Sequence, residues 1–120
     1  VKAIRGAITV ERNSADAIAE GTTSLLKEIQ HRNALRPADV ISIFFTLTPD
    51  LDADFPARAA RAAGWDVPML DMQELPVPGA LPMCIRVLLH VQREGLVRHA
   101  YLRSARRLRP DLEEQSHAGD

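Results

Sequence analysis

The sequence predicts an α+β fold, a mixed β-sheet with helices packed on one of its faces. Several short β-branched runs alternate with period two, whereas helical periodicity is confined to two stretches, both before residue 65. The alternating runs each pair an apolar side with a side carrying arginine, phenylalanine, threonine or tyrosine. Such a face is too charged for a closed core and too apolar for open solvent, which predicts a homo-oligomer in which sheet faces meet, with ligand sites between subunits.

Ala3 to Val10 sets Ile4, Gly6, Ile8 and Val10 against Ala3, Arg5, Ala7 and Thr9, and reads as the first strand. Arg5 is either a solvated arginine near a terminus or an inward-facing charge. Asn13 or Ser14 caps the first helix, with Asp16 well placed in its first turn. Ile18, Ala19, Thr22, Leu25, Leu26 and Ile29 form its apolar face, and Arg36-Pro37 ends it. Val40 to Thr48 is the most strand-like run, with Ile41, Ile43, Phe45 and Leu47 expected to face a helix and Ser42, Phe44, Thr46 and Thr48 turned away.

After a loop at 49–54, Pro56 opens a short helix to Ala63, which Gly64 terminates. Arg58 and Arg61 lie on neighbouring positions of one face, as a solvated basic surface or an anion site. Trp65 to Met72 reads as another strand, and Pro68 makes it an edge strand or delays its start. A proline-rich loop, Leu75 to Pro82, separates it from Met83 to Gln92. There Ile85, Val87, Leu89 and Val91 form a core side, while Arg86, Leu88, His90 and Gln92 share the other. A buried arginine without an anionic partner is very costly, so Arg86 must face either a carboxylate of the protein or an anionic ligand. Val97 to Ala105 reads as a last strand with His99, Tyr101 and Arg103 on one side. Residues 106–112 form a basic tail and 113–120 a mobile end, leaving one domain over 1–112.

Composition bounds the function. In 120 residues, 46% hydrophobic and 26% charged, a single globular domain is the simplest reading. The formal net charge of −1 favours neither nucleic acid nor an anionic membrane as partner. One cysteine, Cys84, excludes an intrachain disulfide framework and fits a reducing cytoplasm, and no apolar run approaches the ~18 residues of a membrane span. His31, His90, His99 and His117 are scattered without metal-site spacing, and no phosphate-cradling glycine loop or nucleophile motif is present. The expectation is a protein without a cofactor.

Segments spread along the chain nevertheless share one pattern. They are Ile4-Arg5-Gly6-Ala7-Ile8-Thr9-Val10-Glu11, Thr48-Pro49-Asp50-Leu51, Phe55-Pro56-Ala57-Arg58, Met72-Gln73-Glu74, Cys84-Ile85-Arg86-Val87, His99-Ala100-Tyr101-Leu102 and Leu108-Arg109-Pro110-Asp111-Leu112. Together and in this order they resemble the monofunctional chorismate mutase of α/β type, the trimeric bacterial form. That resemblance implies a trimeric pseudo-α/β-barrel, related to ferredoxin-like folds, with sites at subunit interfaces. It also implies the rearrangement of chorismate to prephenate, the branch step toward phenylalanine and tyrosine. Such a reaction asks for confinement of a flexible dicarboxylate and charge complementarity to a polarised transition state.

By residue match, the resemblance implies that Arg86 holds the ether oxygen and a carboxylate, that Arg5 binds substrate, and that Tyr101 contacts a carboxylate. Glu74 would accept a hydrogen bond from the ring hydroxyl. Leu70, Asp71, Met72, Gln73 and Glu74 would line the pocket, and Phe55, Ala57, Arg58, Arg61 and Leu108 would close it, some from a neighbouring subunit. Asp71 departs from the uncharged residue expected in some relatives. A carboxylate beside a dianion needs an arginine, so Asp71 either buttresses Arg86 or Arg5 or contacts the substrate hydroxyl. The competing reading is a trimeric binding module or imine hydrolase for a small carboxylic acid, and a third is a plain structural subunit.

Overall fold

The computed structural model describes residues 1–111, so the expected mobile end at 113–120 lies outside them. Five strands form one mixed sheet: β1 (Lys2–Thr9), β2 (Val40–Leu47), β3 (Met69–Gln73), β4 (Cys84–Val91) and β5 (Ala100–Leu102). Their spatial order is β3-β2-β4-β1-β5, with β4 antiparallel to both β1 and β2, and the edge strands β3 and β5 parallel to β2 and β1. Helices α1 (Ala15–Asn33) and α2 (Pro56–Ala62) share a core with Ile4, Ile8, Ile43, Phe45, Ile85 and Leu89, as the alternation of each strand requires.

Ser14 caps α1, its Oγ accepting from Ala17 N at 3.1 Å. The helix stops at Asn33, before Arg36-Pro37, because Ala34 adopts left-handed backbone (φ 47°) and Leu35 N turns back to Gln30 O at 3.0 Å. Gly21 takes the place expected of Ala19 in the fully buried face, since a Cβ there would meet Val10 Cγ1 at 2.6 Å. The helix thus packs directly onto the end of β1.

Two expectations change and a third is narrowed. Ile41 does not face a helix: a bulge between Val40 and Ser42 leaves it 43% exposed and hands its inward place to Val40. The strand expected from Trp65 begins only at Met69, after Pro68, and lies at the sheet edge, so Trp65 enters the core from a loop. The last strand is three residues rather than Val97 to Ala105. Arg103 adopts left-handed backbone (φ 57°), held by Arg103 Nη1 donating to Thr9 O (3.1 Å) and Nη2 to Glu20 Oε2 (2.7 Å), and the chain turns into a 3₁₀ helix, Arg103–Leu108. Part of the expected basic tail is therefore ordered, with Ala105 buried against Ala7 and Cys84 on the helix-free face. No helix of the described residues is long and apolar enough to cross a membrane.

Candidate active site

Register alone assembles the centre of the helix-free face. Met72 pairs with Thr46, Thr46 with Arg86, Arg86 with Ala7, and Ala7 with Tyr101, one residue from each strand in a single row. The neighbouring row runs Leu70, Phe44, Leu88, Arg5. Ala7 is covered by Ala105, Tyr101 and Leu108, while the rest of the face stays open. A hollow of about 570 Å³ results, lined among others by Arg5, Phe44, Thr46, Met72, Arg86 and Tyr101.

Of the two kinds of partner expected for Arg86, the structure shows the protein carboxylate. Its Nε lies 2.8 Å from Glu74 Oε1, close enough for an ion pair although the N–H is not aimed at the oxygen. Glu74 reaches this place because its own N–H continues the strand ladder past Gln73, donating to Leu47 O at 2.8 Å. The terminal nitrogens of Arg86 have no acceptor among the described residues, and the side chain is 43% exposed, more open than an enclosed strand face predicts. Glu74 Oε2 and Thr46 Oγ1 are buried without an aligned hydrogen-bond partner. Buried polar atoms in that condition call for a partner from outside the chain, water or ligand. Burial pushes the Glu74 carboxyl above its ordinary range, while Arg86 and the nearby Thr46 hydroxyl act in the opposite direction.

A clasp fixes where β4, and hence Arg86, begins. Asp50 accepts from Met83 N at 3.0 Å and from Thr48 Oγ1, and Thr48 Oγ1 in turn accepts from Cys84 N at 3.0 Å. These bonds hold Met83 in left-handed backbone (φ 55°). Burial pushes the Cys84 thiol up to about 11, so it stays neutral beside Arg86. Tyr101 packs with Leu108 against Ala7, Cys84 and Ala105. Arg109, bonded through Nη2 to Asp111 Oδ2 at 3.0 Å, also lies beside the Tyr101 phenol.

The remaining candidates gather elsewhere. A second hollow, of about 610 Å³, is lined by Phe55, Arg58, Asp71, Met72 and Gln73 among others, and only Met72 borders both hollows. Arg58 Nε is 3.6 Å from Asp54 Oδ1, and its guanidinium stands 5.6 Å from the centre of the Phe55 ring. Asp71 pairs with Phe45 on the helix side of the sheet, so within one chain it buttresses neither Arg86 nor Arg5. Its Oδ1 accepts from Ala57 N at 3.0 Å, tying the first turn of α2 to β3. Burial raises its pKa, against the Ala57 hydrogen bond and the charge of Arg61. Arg61 itself is exposed. Phe44, Thr46 and His90 line the first hollow without having been singled out as site residues, although strand alternation already placed them on that face.

Comparison with known proteins agrees with this architecture. The family described as "Chorismate mutase type I" matches residues 1–112. The chain is 44% identical over 117 residues to chorismate mutase AroH of Bacillus subtilis, covering 93% of this chain and 92% of that protein. It is 47% identical over 118 residues to chorismate mutase AroH of Thermus thermophilus, covering 94% and 97%. A solved chorismate mutase from Clostridium thermocellum superposes with a TM-score of 0.86 at 49% identity, over 88% of this chain and 98% of that one.

Proposed function

Because the chain belongs to the chorismate mutase type I family and is a chorismate mutase of aromatic amino acid biosynthesis, we propose how its residues divide the work of turning chorismate into prephenate. The terminal nitrogens of Arg86 receive the ether oxygen as the C–O bond breaks and negative charge gathers there. Donors aimed in advance at such an oxygen are worth about 3–4 kcal/mol of barrier. Glu74 holds the guanidinium from its Nε side and offers its second oxygen to the ring hydroxyl, favouring the diaxial conformer that brings the reacting carbons together. Arg5 and Tyr101 hold substrate carboxylates from the neighbouring strands. The rearrangement is unimolecular, so orientation and charge are what these side chains supply. The single observation that carries this reading is Arg86, held on one edge by Glu74 and with its terminal nitrogens open to the hollow.

The site is shared between subunits of a homotrimer. Phe55, Arg58 and Arg61, with Leu70, Asp71, Met72 and Gln73, form the wall that a neighbouring chain presents, Ala57 supports it from the core, and Leu108 closes the pocket near Tyr101. Two facts support this arrangement: the candidate residues fall into two hollows on one chain, and Phe55 (57%), Leu70 (57%), Met72 (42%) and Val77 (60%) are exposed apolar side chains around β3. Sedimentation is expected to give three times the 13.3 kDa of one chain, with activity lost on dissociation. A fully active monomer in dilute solution would overturn the shared site.

Asp71 acts on this wall through α2. Asp71→Ala removes the acceptor of Ala57 N and is expected to lower stability by roughly 1 kcal/mol while raising KM through misplaced Phe55 and Arg58. Thermal melts and steady-state kinetics check this; an unchanged melt with an unchanged KM would remove Asp71 from the wall.

A further inference from the structure

β5 pairs with β1 only from Gly6–Ala100 onward, so the ladder ends just before the Arg5 N–H finds a strand carbonyl. The imidazole of His99 fills the gap: Arg5 N donates to His99 Nδ1 at 2.9 Å. A backbone N–H can only donate, so Nδ1 is the acceptor and the ring is the neutral Nε2–H tautomer. The backbone of His99 is itself fixed from α1. Arg32 Nη1 donates to His99 O at 2.9 Å, and Asn33 brackets the preceding residue, accepting from Arg98 N at 2.7 Å and donating to Arg98 O at 2.9 Å.

Charge around the ring favours its neutral form. Arg5 on β1, Arg98 beside it, Arg32 on α1 and Arg109 beyond the 3₁₀ helix are all cationic; the carboxylates nearby, Glu28 and Asp111, are each bonded to one of those arginines. Burial first, then Arg5 and Arg109, lowers the His99 pKa, so the acceptor is available at neutral pH. His99 therefore joins the two groups given carboxylate-binding roles above. It bonds the backbone of one, Arg5, and stands two residues before the other, Tyr101, immediately ahead of the short strand β5.

We propose that His99 is a positioning residue of the mutase site, its imidazole standing in for a strand carbonyl so that Arg5 and Tyr101 are held at the spacing the substrate carboxylates require. The proposal rests on the roles given to Arg5 and Tyr101. Asparagine can place Oδ1 close to where Nδ1 stands, whereas leucine offers no acceptor. His99→Asn is expected to keep KM for chorismate within about threefold of wild type, and His99→Leu to raise KM about tenfold with kcat little changed, as for uniform binding lost. Melting curves are expected to show that both variants fold, and ¹⁵N resonances of the wild-type ring to report the Nε2–H tautomer at pH 7. A folded His99→Leu protein with wild-type KM, an Asn variant as impaired as the Leu variant, or a ring protonated on Nδ1 at pH 7 would each overturn the proposal. Arg5→Ala separates the premises: an unchanged KM there overturns the site assignment and the proposal together, while an unchanged KM in His99→Leu alone overturns only the role of His99.

Discussion

Arg86→Lys is expected to lower kcat roughly 10²- to 10³-fold while leaving the fold intact, the factor that follows from losing about 3–4 kcal/mol of transition-state stabilisation. Lysine keeps the positive charge but loses the planar fork, and with it the ability to hold Glu74 through Nε while its terminal nitrogens face the hollow. A single ammonium must do one or the other. The side chain is 43% exposed, so lysine fits without a cavity and the melting temperature should move little. Because the ether oxygen is anionic only while the bond is breaking, kcat and kcat/KM should fall by similar factors. Loss of chorismate absorbance measures both. Wild-type turnover in this variant would take Arg86 out of the mechanism.

Glu74→Gln is expected to lower kcat/KM by roughly 10- to 100-fold, the range for replacing a charge-assisted hydrogen bond with a neutral one. It should also change the pH profile. In the folded chain the Glu74 carboxyl is raised above its ordinary value by burial, so the ionised form that pairs with Arg86 is lost as pH falls through that raised pKa. The acid limb of wild-type activity should thus begin above the ordinary glutamate range, near 4.3, and vanish in Glu74→Gln. Stability moves the other way. A carboxyl that holds its proton more tightly folded than unfolded favours the folded state most at low pH, and that contribution is lost as pH rises through the folded pKa. An acid limb unchanged in the Gln variant would assign the titration to another group.

Much of this site was legible because it is written on strands. Period-two alternation put Arg5, Arg86, Phe44, Thr46 and Tyr101 on helix-free sides, and nothing in the register contradicts that placement. The misses have local causes. Alternation cannot foresee a bulge, so Ile41 was given the inward place of Val40. Nor does it reveal that Arg103 adopts left-handed backbone where an arginine–carboxylate clamp to α1 supports it, which ends the last strand at Leu102. Asp71 was read either as a partner for Arg86 or Arg5 or as a contact of the substrate hydroxyl, because its charge needed an answer; within one chain it accepts from a backbone N–H of α2.

The amino-acid sequence by itself determined the fold class, the family and which residue types lie on the helix-free face, because side-chain period and residue type are properties of the chain taken in order. Tertiary structure decided who meets whom. The row from Met72 to Tyr101 depends on sheet order, the contact of Arg86 with Glu74 on where two distant strands end, and the hold of His99 on Arg5 on residues 94 apart. Pairing across such separations is set by the whole packed sheet, whose order and register short-range pattern does not encode.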